Sequence, residues 1–298
     1  MNIKIRECEP RELPGVIDRL DQEFIFNKQH SLSLGKRFPN TLSLENIKQI
    51  RVAVSDGIIL GSISIRMFRW VAQKHTWHGA MVGMVYIDPQ YRGKGIGSDL
   101  LSSAMELLHE KDTDFGVLWT GSPVFYERAG WILNDRGLFG KAINRFNSPR
   151  SNTVSCRPLV SADSARLNRI RSALLPIRVM RSSLDYSTVP IPAVQLFCFS
   201  AQNDEGEGYA LVGEQDGIGY FYEMTAPSSL WSMIWYAVTE RFGQLFVNGS
   251  SGDPFAQWLS DEKLVLWQPH NKAMWFDVSG RIEGFSIKAW HIPYFDWI

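Results

Sequence analysis

The residues from Arg92 to Gly97, with the sequence RGKGIG, are the ones whose types and spacing best support chemistry. Three glycines at alternate positions let the backbone turn tightly, adopt positive φ and come close to a ligand. If a helix begins here, its free N–H groups and positive dipole end favour an anion, and Arg92 and Lys94 add positive charge. The segment therefore predicts a site for a pyrophosphate group.

The elements that must hold this loop can be predicted from the spacing of apolar residues. Met81–Ile87 precedes the loop and is apolar on both faces, which is typical of a central, buried strand. Leu101–Leu108 follows it with helical spacing of apolar residues. Upstream, Arg51–Val54 and Ile58–Ile65 flank Asp56-Gly57, which predicts a β-hairpin. The glycine loop is thus expected to join a strand to a helix.

Glycine-rich junctions serve several cofactors, so the spacing of the glycines matters. A dinucleotide fold needs G-x-G-x-x-G and a P-loop NTPase needs G-x-x-x-x-G-K-[ST], and the loop matches neither pattern. A tight strand–helix turn that binds no ligand is the alternative that stays open.

A third pattern fits better. The stretch from Tyr86 to Gly97 (YIDPQYRGKGIG) closely resembles the acetyl-CoA signature of the GNAT superfamily of acetyltransferases, whose core [QR]-x-x-G-x-[GA] is met by Arg92, Gly95 and Gly97. Further along, 123–131 (PVFYERAGW) resembles the F-Y-x-x-x-G-[FW] segment that follows the next strand in these enzymes. The resemblance covers residues 3–146.

The resemblance implies an α/β fold of the acyl-CoA N-acyltransferase type, with a mixed, mostly antiparallel sheet. Its central strands, here Val85–Ile87 and Phe115–Trp119, would splay apart. Acetyl-CoA would be the co-substrate, with its pantetheine arm on the backbone of Val85 and Ile87 like an added strand. The residues implied to bind the cofactor are Val85, Tyr86, Ile87, Arg92, Gly93, Lys94, Gly95, Ile96, Gly97 and Ser98.

The resemblance also implies a reaction in which an amine attacks the thioester carbonyl directly, within a ternary complex. A backbone N–H of Val85, Tyr86 or Ile87 would hold the oxyanion. Tyr126 would protonate the leaving thiolate. The alternative role for Tyr126 is that of an aromatic side chain packed against the cofactor.

No motif identifies the general base that removes a proton from the amine. The candidates are Asp21, Glu23, His75, His78 and Tyr86. Deprotonation relayed by water would need no dedicated base. A further hypothesis places the carboxylate of Ile298 in the active site, because the tail His291–Ile298 is apolar and is expected to dock on or between the two halves.

The chain of 298 residues suggests two domains. The second half repeats the order of predicted elements at a spacing of roughly 140 residues, which indicates a fold duplicated in tandem. We therefore expect an acetyl-CoA-binding GNAT domain at 1–148 and a second, degenerate GNAT-like domain at 149–298. In the second half, Tyr222–Ser229 stands where the glycine loop would be and has no Gly, Arg or Lys, so we expect no cofactor there.

Tandem domains of this kind loosely resemble the enhanced-intracellular-survival (Eis) family of aminoglycoside-type acetyltransferases. That family has a further C-terminal sterol-carrier-like domain, which we do not expect in these 298 residues. The expected function is transfer of an acetyl group from acetyl-CoA to a primary amine of a small molecule of amino-sugar, aminoglycoside or polyamine type. Acetylation of a protein or peptide amine and a non-catalytic acetyl-CoA sensor stay open as alternatives.

The composition of the chain excludes several classes of binding partner. The formal net charge is +0, so no overall field attracts nucleic acid or an acidic membrane, and neither is expected as a partner. Three widely separated cysteines without metal-ligand spacing indicate free thiols in a reducing compartment and no metal site. No apolar stretch approaches the ~20 residues of a membrane span. We expect a cytoplasmic protein, and a homo-oligomer is left open.

Overall fold

The computed structural model describes residues 2–72, 75–143, 153–282 and 291–298. The strands in this part of the chain are β1 (Lys4–Glu7), β2 (Ile50–Ser55), β3 (Ile58–Ala72), β4 (His75–Ile87), β5 (Phe115–Trp119), β6 (Ile132–Leu133), β7 (Gly137–Ala142), β8 (Ser155–Pro158), β9 (Arg178–Met180), β10 (Gln195–Asn203), β11 (Gly206–Gln215), β12 (Ile218–Thr225), β13 (Gln244–Ser250), β14 (Val265–Pro269) and β15 (Ala273–Asp277). The α-helices are α1 (Leu13–Phe24), α2 (Leu34–Arg37), α3 (Ile96–Glu110), α4 (Pro123–Glu127), α5 (Ser164–Leu174), α6 (Trp231–Arg241) and α7 (Pro254–Asp261).

The first sheet has the strand order β1-β2-β3-β4-β5-β15-β6, and β9 pairs with β3. Its neighbouring strands are antiparallel except β4 and β5, which run parallel. The predicted hairpin is confirmed as β2 and β3, joined at Asp56 and Gly57, whose φ angles of 51° and 77° suit a tight hairpin turn. Helix α3 buries Leu100, Ala104 and Leu108 against this sheet. The result is the mixed, mostly antiparallel α/β fold that the sequence predicted.

The predicted separation of the central strands is also present. The pairing of β4 with β5 covers only the step from Gly79–Phe115 to Met81–Val117. On the other side of β4, the register with β3 shifts between Ser62 and Ser64, and Met84 has a φ of 51°. This bulge turns β4 away from β5. A gap therefore opens between the two strands beyond Met81.

The second sheet has the order β8-β10-β11-β12-β13-β7-β14. It repeats two features of the first sheet, a parallel central pair of strands and a bulge beside it. Its central strands β12 and β13 are parallel and pair only from Ile218–Gln244 to Phe221–Val247. The register between β11 and β12 shifts at Leu211/Val212, which leaves Tyr222 as the extra residue of the bulge. The duplication predicted from element order thus extends to the bulge and the gap.

Within the described chain, the first sheet contains two strands from the second half, β9 and β15, and the second sheet contains one from the first half, β7. Strand β7 lies between β13 and β14 in the second sheet, and β15 lies between β5 and β6 in the first. Strand β7 thus belongs to the second sheet although it lies in the first half of the sequence. Apolar patterning identifies a segment as a strand but does not specify which sheet edge it joins. The predicted boundary at 148/149 lies outside the described residues.

The tail His291–Ile298 docks between the two halves, as predicted. Trp297 stacks on Trp119 of β5 with ring centroids 4.5 Å apart, and Phe295 joins the core under the second sheet. Among the described residues no helix is both long enough and apolar enough to cross a membrane.

Candidate active site

The predicted glycine loop joins β4 to α3 and is open to solvent. Gly93 and Gly95 have φ angles of +77° and +86°, where an L side chain would be strained, and nothing lies within 4 Å of the position that a Cβ would take on either. Gly95 is the N-cap of α3, so the N–H groups of Ile96, Gly97 and Ser98 have no partner within the helix. The loop has the backbone conformation and open space that an anion site needs.

The two basic residues of the loop lie at its rim. Arg92 donates from Nε to the carbonyl of Ile87 (3.1 Å) and from Nη2 to Oε1 of Glu23 on α1 (2.9 Å). The ammonium of Lys94 lies 4.7 Å from the centre of the Tyr91 ring. Both side chains are solvent-exposed, so an incoming diphosphate could compete with Glu23 for Arg92 without breaking a buried contact.

The gap between β4 and β5 opens into a cavity of about 600 Å³. One wall is the bulged part of β4, Val82 to Val85, and the other is the end of β5 with the turn that follows it, Leu118 to Gly121. Tyr126 of α4 also lines the cavity. The structure therefore brings Val85 and Tyr126, two residues singled out from the sequence, to one space. Tyr86 is buried instead in the core beneath α1.

Tyr126 lies half-buried in an apolar setting. Its ring makes edge contacts with Phe125 and Trp131, with centroids 4.9 and 6.4 Å away. Burial raises the pKa of the Tyr126 phenol above its ordinary value of about 10. The hydroxyl is therefore protonated at neutral pH, the form required of a proton donor.

None of the five base candidates from the sequence lines this cavity. Asp21 is buried and accepts a hydrogen bond from the Leu34 N–H (2.7 Å), while Glu23 pairs with Arg92. His75 and His78 lie at the start of β4, roughly 30 and 20 Å along the strand from its bulge. Tyr86 packs into the core.

The C-terminal tail forms another wall of the cavity. Trp297 and Ile298 line it, and Ile298 lies so close to the bulge that a Cβ on Gly83 would stand 3.2 Å from Ile298 Cγ1. The tail is held by Asp296, whose carboxylate accepts two hydrogen bonds from Arg181 (2.7 and 2.8 Å). Arg66 donates to the Asp296 carbonyl (2.8 Å). Two buried arginines thus set the position of the tail at the cavity.

Several cavity residues were missed by sequence reasoning. They are Phe24, Lys28, His30, Met84, Trp119, Lys272, Tyr294 and Trp297. These residues come from both halves of the chain and sit in no motif, so only the strand exchange and the docked tail bring them together. The one sequence feature that pointed to any of these cavity residues was the unusual apolar character of the tail.

The corresponding gap in the second sheet is built differently. Glu223 follows the β12 bulge and is fully buried among Arg171, Arg181 and Tyr209, all hydrogen-bonded to its carboxylate. These ion pairs hold the pKa of Glu223 well below its usual range, despite desolvation that opposes the charge. This gap therefore has a buried, ion-paired carboxylate beside it, where the first sheet has a glycine loop.

Comparison with known proteins identifies the domain that carries this site. Residues 4–133 match the model of the acetyltransferase (GNAT) domain. Residues 4–133 are a GNAT acetyltransferase domain. The chain is accordingly an enzyme, an N-acetyltransferase, and the GNAT family uses acyl-CoA donors and amine acceptors. No curated protein shows significant similarity to the chain.

Solved structures share the fold over nearly the whole described chain. A GCN5-related N-acetyltransferase from Anabaena variabilis is 14% identical with a TM-score of 0.72, and the match covers 94% of this chain and 74% of that one. Eis1 from Mycobacterium abscessus is 12% identical with a TM-score of 0.66, covering 94% and 74%. Saccharomyces cerevisiae N-myristoyltransferase, solved with bound myristoyl-CoA, is 11% identical with a TM-score of 0.57, covering 92% and 80%. At these identities the likeness concerns the fold.

Proposed function

We propose that this chain transfers an acetyl group from acetyl-CoA to a primary amine of a small molecule. The observation that carries the proposal is one cavity that joins the protonated Tyr126 to the edge of β4 left unpaired beyond Met81, the strand that leads directly into the open glycine loop. A diphosphate on the N–H groups of Ile96 to Ser98 would place the pantetheine arm along Val85 and Ile87.

In this proposal the amine nitrogen attacks the thioester carbonyl, so that a C–N bond forms and the C–S bond then breaks. A backbone N–H of the bulged segment from Val85 to Ile87 stabilises the oxyanion. Tyr126 gives its proton to the departing thiolate, and the proton lost by the amine restores the phenol, directly or through water. The small volume of the cavity, about 600 Å³, favours a small-molecule acceptor over a folded protein surface.

A titration of acetyl-CoA tests the cofactor site. Gly95→Trp fills the open space in which the diphosphate would lie, and we expect it to abolish binding. Trp at a φ of +86° also strains the backbone, so a matched control is needed. Gly57→Trp supplies it, because Gly57 has a φ of +77°, is equally open, and lies in the β2–β3 turn away from the cavity.

Calorimetry should show that acetyl-CoA binds to wild type and to Gly57→Trp but not to Gly95→Trp. Thiol release on addition of amines then reports turnover. If folded wild type fails to bind acetyl-CoA, or if Gly95→Trp binds as well as Gly57→Trp, the assignment of the loop is wrong.

A further inference from the structure

The side chains at the acceptor side of the cavity are basic or neutral. No Asp or Glu side chain among the described residues lines the cavity, whereas Lys28, His30 and Lys272 do. A second cavity of about 480 Å³ adjoins it, shares His30 and Lys272, and is likewise free of acidic side chains within the described chain. The main-chain oxygen of Ile298 also reaches the cavity wall, 3.3 Å from the position of a Cβ on Gly83, so the hypothesised Ile298 carboxylate would be an anion on the β4 side. At Lys28 and Lys272 a polycationic acceptor would meet charges of its own sign.

Lys272 is held in place through its backbone. Its N–H donates to Oδ2 of Asp135 (2.8 Å), and its carbonyl accepts from the N–H of Thr120 (3.0 Å), at the end of β5 where the cavity begins. Burial opposes the charge of the Asp135 carboxylate, but the neighbouring His270 and hydrogen bonds from the N–H groups of Lys272, Gly137 and Ala273 keep its pKa well below its usual range. The lysine side chain extends from this anchored point and is exposed to solvent at the cavity.

Lys28 lines the same cavity and lies in a tight turn after α1. The turn is closed by hydrogen bonds from the N–H groups of Lys28 and His30 to the carbonyl of Ile25 (3.1 and 2.9 Å). Burial and the nearby cations Arg37 and Lys28 lower the pKa of His30, which leaves it a neutral N–H donor at pH 7. Within the described chain neither Lys28 nor Lys272 forms an ion pair with a carboxylate.

The adjoining cavity supplies a flat apolar surface. Tyr220, Phe246 and Phe139 stack in a row along the second sheet, with ring centroids 5.8 and 5.5 Å apart and nearly parallel planes. All three line that cavity, which reaches the active site past Tyr294 and Lys272. A ligand entering from this side meets first the row of rings and then the lysines.

We propose that the acceptor amine also carries an anionic group, a carboxylate or a phosphate, which Lys28 and Lys272 bind while the amine reaches the thioester. This inference rests on the proposed function and names the class of its acceptor. The pantetheine arm is uncharged, so it offers the two lysines no anion to bind, and the acceptor is left to supply one. Acceptors of polyamine or aminoglycoside type are disfavoured, because the lysines would repel their positive charges. An amine with an aromatic or other flat group next to its anion would use both cavities.

The test compares each amine with a partner that lacks the anion, in the full chain saturated with acetyl-CoA. Phenylalanine against phenylalaninamide tests a carboxylate, and phosphoethanolamine against ethanolamine tests a phosphate. Thiol release gives kcat/KM, and calorimetry of the acetyl-CoA-bound protein gives Kd without requiring turnover. The pair with the larger ratio identifies which anion the site prefers.

The variants Lys28→Gln and Lys272→Gln are compared with Lys48→Gln, which removes an exposed lysine that lines neither cavity. Comparing the anionic-to-neutral ratio between proteins cancels the intrinsic reactivity of each amine. We expect the ratio to fall by at least about fivefold in each cavity variant and to stay constant in the control.

An unchanged ratio in both cavity variants overturns the inference, as does a preference for the neutral partners or for spermidine, or an absence of binding by any anionic amine. Each of those results leaves the proposed function standing, provided that acetyl-CoA binds. Failure of acetyl-CoA to bind overturns the proposed function instead.

Discussion

Replacing Asp296 by Asn tests how the tail is held at the cavity. Asp296 is 2% exposed and accepts hydrogen bonds from both Nε and Nη2 of Arg181. Arg181 also donates to a second carboxylate, Glu223, which accepts a hydrogen bond from Arg171 as well. Asn keeps the shape of the side chain but removes its charge. Two buried guanidinium groups then face a single carboxylate, an arrangement that burial makes costly.

The size of the effect follows from this geometry. Removing one partner of a buried ion pair costs about 3–5 kcal/mol. The Asn side-chain oxygen can still accept one hydrogen bond, and Arg66 still holds the Asp296 carbonyl, so the lower end of that range is expected. At about 2 °C per kcal/mol for a chain of this size, the melting temperature should fall by about 6 °C.

Scanning calorimetry measures this change, with Asp261→Asn as the matched control. Asp261 is exposed and bonds only to Gln257 among the described contacts, so its substitution should cost less than about 0.5 kcal/mol. The double variant Arg181→Met with Asp296→Leu should recover part of the loss, because it removes the unpaired charge. A melting temperature for Asp296→Asn equal to that of Asp261→Asn would refute the reasoning.

Two further predictions concern proton positions. Tyr126→Phe should lower kcat by about 100-fold with little change in the Kd for acetyl-CoA, since the ring is kept and only the proton donor is lost; a change in Kd alone would instead assign Tyr126 a packing role, and steady-state kinetics beside calorimetry separates the two. Burial raises the pKa of Asp253, the N-cap of α7, to about 6. Because its folded pKa lies above the unfolded value, the chain loses stability as pH rises through about 6. Asn is an equally good N-cap, so Asp253→Asn should be neutral at pH 4 and should stabilise the chain by about 3 kcal/mol at pH 8. Urea unfolding at the two pH values checks this, and equal gains at both would contradict it.

Much of the local structure around the glycine loop could be predicted, because its causes are local. The apolar run Met81–Ile87 formed part of the central strand β4, and Gly93 and Gly95 adopted the positive φ angles that their lack of a Cβ permits, while Gly97 lies in the first turn of α3. Asp56-Gly57 formed the expected hairpin turn. Each of these depends on residues that are neighbours in sequence.

The sequence alone thus determined that a strand–glycine loop–helix unit exists, that Tyr126 follows the next strand on a short helix, and that the second half lacks such a loop. The exchange of β7 and β15, the bulge at Met84 and the docking of the tail through Asp296 were decided only by tertiary structure. The strand exchange and the docking of the tail depend on pairing and ion contacts between residues more than 100 positions apart, such as Arg181 with Asp296, and no local pattern encodes the partner. The bulge at Met84 depends instead on the register between β3 and β4. Lys28 and Lys272 became neighbours of the same cavity in this way, so the charge of the acceptor site could be read only from the folded chain.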